Sequence, residues 1–214
     1  MIYRLENIAF SYNKHKAIDI KNLDIEEGRI YALFGANGSG KTTLLKILNG
    51  LLKVETGYLY YKNKPIGSNN YKLIRKETVY IHQNPLLLTG TVYNNVAYGL
   101  KIRKESNDKI EKIVHEMLKL VDLSGFENRK SKGLSIGEIK RVAIARALAI
   151  SPKVILLDEP TAHIDRNSRE KIAEILEETK KKFGTTVIFS SHDDAFNKKI
   201  ADKIIHIENG EIVD

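Results

Sequence analysis

Short apolar strands alternating with helix-length amphipathic stretches predict an α/β fold. Its parts are a mainly parallel sheet, an N-terminal antiparallel β subdomain and a helical subdomain. Three observations carry this reading. Compact apolar runs such as Arg29–Phe34, Thr78–His82 and Val154–Leu157 have the length of buried strands. Helical stretches follow the first and last of these runs. The region Ser106–Ile150 is helical in character and reads as an insertion beside the sheet.

In chain order, Ile2–Ile8 and Lys16–Leu23 read as strands with polar turns. Arg29–Phe34 ends in a glycine, and the helical stretch Lys41–Leu48 that follows is closed by Asn49-Gly50. Gly57–Tyr61 reads as an exposed strand and Thr78–His82 as a buried one. From Ser106 to Val121 apolar residues fall at Ile110, Ile113, Val114, Met117, Leu118 and Val121, the 3–4 spacing of a core-facing helix. A second helix follows Ser135 and runs to about Ile150, where Ser151-Pro152 stops it. Val154–Leu157 is a strand and Arg166–Phe183 a helix. The cluster Lys180-Lys181-Lys182 lies at that helix's negative end, ahead of the capping Gly184. Thr185–Phe189 is a β-branched strand, and Lys203–Ile207 and Glu211–Val213 flank the hairpin turn Asn209-Gly210. The expected organisation is one domain, 1–214, with its helical subdomain at about 84–150.

Composition narrows the function classes. The chain has 214 residues, 42% of them hydrophobic, enough for one domain with a real core. It has no cysteine, which excludes disulfides and thiolate metal sites. The N-terminus, Met1-Ile2-Tyr3-Arg4-Leu5-Glu6, is not a signal peptide, and no apolar run approaches the ~20 residues of a membrane span. Any membrane role is therefore expected to come through a partner. The formal charge of +8 is mostly lysine spread along the chain, without basic runs interleaved with aromatics, so nucleic acid is not expected as a partner.

The chemistry is concentrated in a few motifs. Gly35-Ala36-Asn37-Gly38-Ser39-Gly40-Lys41-Thr42 fits G-x-x-x-x-G-K-[ST] in full, with a strand leading in and a helix leading out. Its glycines let main-chain N–H groups turn inward around phosphates. Lys41 brings a cation to the β and γ oxygens, and the Thr42 hydroxyl suits Mg²⁺. This defines a P-loop NTPase core. Asp158-Glu159 follows the strand Val154–Leu157. Beside a P-loop the two acids divide the work: Asp158 holds Mg²⁺ through its water shell, and Glu159 orients and deprotonates the attacking water. Gln83 and His192 each end a predicted strand, so Gly35, Gln83, Asp158 and His192 converge on the carboxyl edge of the sheet.

With these motifs in this order, the whole chain resembles the ATP-binding subunits of ABC transporters. The resemblance makes Tyr12 the aromatic that stacks on adenine, and places Asn37, Gly38, Ser39, Gly40, Lys41, Thr42 and Thr43 around ATP. It makes Gln83 a ligand of Mg²⁺ or water that senses a transmembrane partner, Glu159 the catalytic glutamate and His192 the switch histidine at the γ-phosphate. Asp165 becomes the aspartate of the loop after the catalytic acids. Leu134-Ser135-Ile136-Gly137-Glu138 stands where the family has Leu-Ser-Gly-Gly-Gln, so Ile136 and Glu138 depart from the pattern while Ser135 and Gly137 are kept. Ser135 and Glu138 also form an S-x-x-E capping box at a helix start. Ala162-His163-Ile164-Asp165 is a second departure, with His163 expected to be an exposed loop residue.

The resemblance further implies a homodimer with each ATP held between one chain's P-loop and the other's Ser135. It implies a permease contacted through about Asn84–Leu100, a solute-binding protein acting indirectly, and a location on the cytoplasmic face of the membrane. DNA-repair and chromosome ATPases share this head but carry long coiled coils, for which the stretch from Gln83 to Ser135 is too short. An ATPase serving a non-transport partner, as in cell division or iron–sulfur assembly, remains the alternative. His82-Gln83-Asn84-Pro85 and Gly90–Leu100 look like importers of oxyanions, tungstate and molybdate especially.

Overall fold

The computed structural model describes residues 1–67 and 70–213. In chain order the strands β1 (Tyr3–Tyr12), β2 (His15–Ile25) and β3 (Ile30–Phe34) precede helix α1 (Lys41–Leu48). Then come β4 (Thr56–Tyr61), β5 (Lys64–Pro65), α2 (Tyr71–Glu77), β6 (Thr78–Ile81), α3 (Val92–Ile102), α4 (Asn107–Leu120) and α5 (Ile136–Leu148). The chain continues through β7 (Val154–Leu157), α6 (Arg166–Phe183), β8 (Thr186–Ser191), α7 (Asp194–Ile200), β9 (Lys203–Glu208) and β10 (Glu211–Val213).

Two sheets result. The antiparallel one has the order β2-β1-β4-β5 and the larger one β10-β9-β3-β8-β7-β6. Within the larger sheet β9, β3, β8, β7 and β6 run parallel, and β10 returns antiparallel beside β9. That return is the expected Asn209-Gly210 hairpin, both residues having positive φ.

The parallel strands are apolar without a break because both faces are covered. Ile30 and Ala32 of β3 join one core with Ile155, Leu157, Val187 and Phe189 beneath the helices. Tyr31 and Leu33 point the other way, into a core with Val154, Leu156 and Ile188 that also takes in α1 and the antiparallel sheet. Each fully buried side chain of this size contributes roughly 1.5–3 kcal/mol.

Several expectations need correction. β1 continues to Tyr12 rather than stopping near Ile8, because pairing with β2 resumes past an irregularity between Phe10 and Ser11. β4 is half-buried rather than exposed: Leu59 and Tyr61 face the core while Tyr58 faces out. α5 ends at Leu148, short of Ile150. Three helices were not expected as such: α2, α7 and α3. The last forms the second half of the segment read as a permease surface, with Thr91 Oγ1 capping it by accepting from Asn94 N–H at 3.1 Å. Buried Asn95 ties the preceding loop to this helix, accepting from Leu88 N–H at 2.7 Å and donating to Leu88 O at 3.0 Å. No helix among the described residues is long and apolar enough to cross a membrane.

Candidate active site

The site is built where β3 ends. The chain turns through Gly35–Gly40 and enters α1 at Lys41. A Cβ on Gly35 would lie 2.1 Å from the Ile207 carbonyl oxygen. Gly40 has φ +109° and passes so close to Ala17 that a Cβ there would lie 2.6 Å from its carbonyl oxygen. The loop is therefore wedged between β9 and β2, which fixes its opening. Lys41 Nζ donates to the Gly35 and Ala36 carbonyls at 2.8 and 2.9 Å, folding its ammonium across the loop. Burial lowers its pKa, and the nearby Glu159 and Asp158 act in the opposite direction.

Asp158 follows β7 and is held by three hydroxyls. Thr42 Oγ1 donates to its carboxylate at 2.9 Å, Tyr80 OH at 2.8 Å and Ser190 Oγ at 2.7 Å. Tyr80 and Ser190 were not foreseen. They come from the strands on either side, whose register sets Leu157 against Ile81 and Phe189 and so brings Ser190 beside Asp158. Burial, then the charge of Asp158, pushes the Tyr80 phenol well above its usual pKa, so it stays a donor.

Glu159 stands beside Asp158 with φ +45°, a left-handed conformation that costs an L-residue about 1–2 kcal/mol. The neighbours fix it. Its N–H donates to Ser190 Oγ at 2.8 Å, and its carbonyl accepts from buried Lys140 Nζ at 2.9 Å. Its carboxylate meets His192 Nδ1 at 3.0 Å, a contact that places the ring proton on Nδ1 when the carboxylate is ionised. Burial pushes the Lys140 ammonium down to about 8, against the pull of Glu159 and Asp158.

Lys41, Glu159 and His192 open on one cleft of about 780 Å³. Lys41, Thr42 and Thr43 line its floor, with Asn37, Gly38 and Gly40 from the loop. Gln83, Glu159 and His192 line it from the other strand ends, and Tyr12 stands on its wall in a T-shaped pair with Phe10, ring centroids 4.9 Å apart. The cleft also includes His163, exposed as expected, and Arg169, which sequence reasoning missed; Arg169 pairs with Asp193 at 3.3 Å. Ser39 turns inward: its hydroxyl is buried and without a partner among the described residues.

Ser135, Gly137 and Asp165 do not line this cleft. Each belongs to a helix start. Ser135 Oγ accepts from Glu138 N–H at 3.3 Å while Glu138 Oε2 accepts from Ser135 N–H at 2.8 Å, the expected capping box. Asp165 caps α6 by accepting from Ser168 N–H at 3.0 Å and Ser168 Oγ at 2.7 Å. Ile136 is 52% exposed and points out beside Ser135.

A hard oxygen set of Thr42, Asp158 and Gln83 suits Mg²⁺. Among the described residues no cluster of three or more His, Cys, Asp or Glu could cage a metal alone. A cation here would draw its other ligands from phosphate and water.

A P-loop joined to an acid pair and a strand-end histidine defines an ATP-binding, ATP-hydrolysing protein, and comparison with known proteins gives the family. The ABC transporter family matches residues 18–162. The chain belongs to that family and is one of its ATPase subunits. It is 39% identical over 210 residues to the Probable sulfate/thiosulfate import ATP-binding protein CysA of Chlorella vulgaris, covering 98% of this chain and 88% of that protein. Its fold matches CbiO1 of Clostridium perfringens, described as part of the ABC transporter complex CbiONQ. That match has a TM-score of 0.92 and 32% identity over 99% of this chain and 86% of that one. It also matches the dimeric ATP-binding cassette MJ0796 in a post-hydrolysis state bound to ADP and Pi. There the TM-score is 0.86 and the identity 31%, over 100% of this chain and 97% of that one.

Proposed function

We propose that this chain, 1–214, is a single ATPase domain that powers import of a small oxyanion through a permease. The observation that carries it is the meeting of Lys41, Thr42, Gln83, Glu159 and His192 in one cleft, with Asp158 hydrogen-bonded to Thr42 at its edge. In this reading Tyr12 stacks on adenine, and the main chain from Asn37 to Thr43 with Lys41 holds the phosphates. Thr42, Asp158 and Gln83 hold Mg²⁺ directly or through water; when bound, the ion neutralises charge on the β and γ oxygens. Glu159 takes a proton from water as the water oxygen bonds to the γ-phosphorus. The bond from that phosphorus to the β–γ bridging oxygen breaks, and ADP leaves. His192, bonded to Glu159 at 3.0 Å, orients the carboxylate and faces the γ-phosphate.

Ser135 and Gly137 begin a helix whose N-terminus is suited to an anion but lies away from the chain's own cleft, which supports pairing of two chains around ATP. The dimeric state described for MJ0796 is consistent with that arrangement.

The permease contact is supported by an apolar groove of about 560 Å³ lined by Pro85, Leu86, Tyr98, Ala147 and Ile150. The segment Asn84–Leu100 divides between two tasks. Val92 and Val96 are buried under the helices, whereas Leu86 and Tyr98 are exposed at the groove. A short amphipathic helix from the permease suits it. The chain would thus sit on the cytoplasmic face of the membrane through its partner, with a solute-binding protein acting from the other side.

The Chlorella relative is named for sulfate and thiosulfate, and the loop sequence points to tungstate or molybdate; all four are tetrahedral oxyanions. Reconstitution with the permease in vesicles tests the reading. ATP turnover stimulated by a binding protein loaded with one of these anions is expected, and no coupling to any of them would reject the oxyanion assignment.

A further inference from the structure

Lys140 is 4% exposed, and lysine is almost never buried so fully unless paired. Its Nζ does not end on a carboxylate but on the main-chain carbonyl of Glu159 at 2.9 Å. That peptide needs holding. Glu159 is an L-residue at φ +45°, and it precedes Pro160, a position that favours extended backbone. Its N–H is fixed by Ser190 and its carboxylate touches His192. On the carbonyl side the only other contact among the described residues is a longer bond from Ala162 N–H at 3.2 Å. Pro160 supplies no N–H, so nothing at the next residue can substitute.

We infer that Lys140 is a positioning residue for hydrolysis: it pins the Glu159 carbonyl and so aims the Glu159 carboxylate at the attacking water. The tie comes from α5, so the catalytic peptide is fastened to the same helix that starts at Ser135. This rests on the proposed role of Glu159 as base. A side chain that merely filled space would affect stability and nucleotide binding, not the chemical step alone. A misplaced carboxylate slows proton transfer while leaving the P-loop contacts to ATP in place, because Lys140 does not line the nucleotide cleft.

The test compares Lys140→Met and Lys140→Gln with wild type, and Lys140→Met with and without Glu159→Gln. MgATP affinity, from a fluorescent nucleotide, is expected to stay within about twofold. The kcat should fall on the order of 10²-fold with KM nearly unchanged, the scale of loss when a reacting group is misplaced by about 1 Å. In the Glu159→Gln background, single-turnover hydrolysis should show no further loss when Lys140→Met is added. The inference is overturned if both Lys140 variants keep wild-type kcat, or if kcat falls only in step with nucleotide affinity. A further loss on top of Glu159→Gln overturns it too, and so does failure of both variants to fold, which would make Lys140 a structural prop. Normal turnover in Glu159→Gln alone would instead reject the role of Glu159 as base.

Discussion

Gly137 and Ser168 approach so closely that a Cβ on Gly137 would lie 2.6 Å from Ser168 Oγ. The same hydroxyl donates to Asp165 Oδ2 at 2.7 Å. The first turn of α5, which carries Ser135, is thereby seated on the first turn of α6, which Asp165 caps. Ser135, proposed to meet the other subunit's nucleotide, caps the helix at this joint.

Gly137→Ala should therefore destabilise the chain. Helix propensity alone predicts a gain of about 0.8–1 kcal/mol, while overpacking costs typically about 1–3 kcal/mol. A net loss near 1 kcal/mol is expected in urea unfolding, and Ser168→Gly should recover part of it. An alanine variant as stable as wild type would show that the two helices do not meet this tightly.

Lys41→Ala removes the cation that spans the phosphate loop, bonded to Gly35 and Ala36. Loss of such a charge typically costs on the order of 10²–10³-fold in turnover. Phosphate release should drop by at least that much with the melting profile retained, since the loop's shape is set by Gly35 and Gly40 against β9 and β2. Wild-type turnover would remove Lys41 from the site.

Glu159→Gln keeps the size of the side chain and removes the proposed base. A fall in rate of about 10²–10⁴-fold is expected, with MgATP still bound. Unhydrolysed ATP should then hold two chains together, read as an ATP-dependent shift on size-exclusion chromatography. A variant that binds ATP and stays monomeric at saturating nucleotide would count against the shared-site dimer.

These targets were legible in the sequence because their positions are set locally. A glycine loop between strand and helix places Lys41 and Thr42 wherever the chain folds, and Asp158-Glu159 follow β7 directly. Lys140, Tyr80 and Ser190 were not legible. Each is one polar residue in an otherwise ordinary helix or strand, and its importance comes from register between distant segments. Tyr80 and Ser190 meet Asp158 only because β6 and β8 flank β7. The helices α2 and α7 span seven residues each, too short for a periodic apolar pattern to build up. For α3 the signal was present, as Thr91 before Val92, Val96 and Leu100, but the mix of Leu86, Leu87, Leu88, Val92 and Val96 with Tyr93 and Tyr98 read as a docking surface instead.

The frame under the P-loop has its own pH dependence. At the start of β3, Ile30 N–H donates to Asp202 Oδ2 at 2.7 Å and Lys180 Nζ to Asp202 Oδ1 at 2.8 Å. Burial pushes the Asp202 carboxyl up, but these bonds outweigh it and hold its pKa below the usual range. A lowered folded value means the stabilisation is fully present above the unfolded pKa of about 3.9 and is lost as pH falls through the folded value. Asp202→Asn should cost about 0.5–1 kcal/mol near neutral pH, because the residue is exposed and water screens its pair with Lys180. The difference from wild type should shrink below about pH 4. A gap that stays constant on acidification would mean the carboxylate's charge plays no part.

The permease surface is the assignment that gives ATP hydrolysis an effect outside the chain. The groove beside α3 and α5 is rimmed by Leu86, 87% exposed, and Tyr98, 48% exposed. One end of it adjoins the nucleotide cleft. Gln83 lines the cleft just ahead of Pro85 and Leu86, and Arg146 of α5 donates to the Leu86 carbonyl at 3.0 Å. Exposed apolar residues gathered at a groove mark a docking site more often than scattered ones do. Leu86→Glu with Tyr98→Glu should abolish capture of the permease, because two carboxylates would have to be desolvated against an apolar helix. Nucleotide affinity of the isolated chain should not change, as neither residue lines the cleft. Val96→Glu is the contrast: Val96 is fully buried, so that variant should unfold the helical region rather than uncouple it. Pull-down with the permease, beside a nucleotide-binding assay and a thermal melt, separates the three cases. Undiminished capture by the folded Leu86/Tyr98 variant would move the coupling surface elsewhere on the chain.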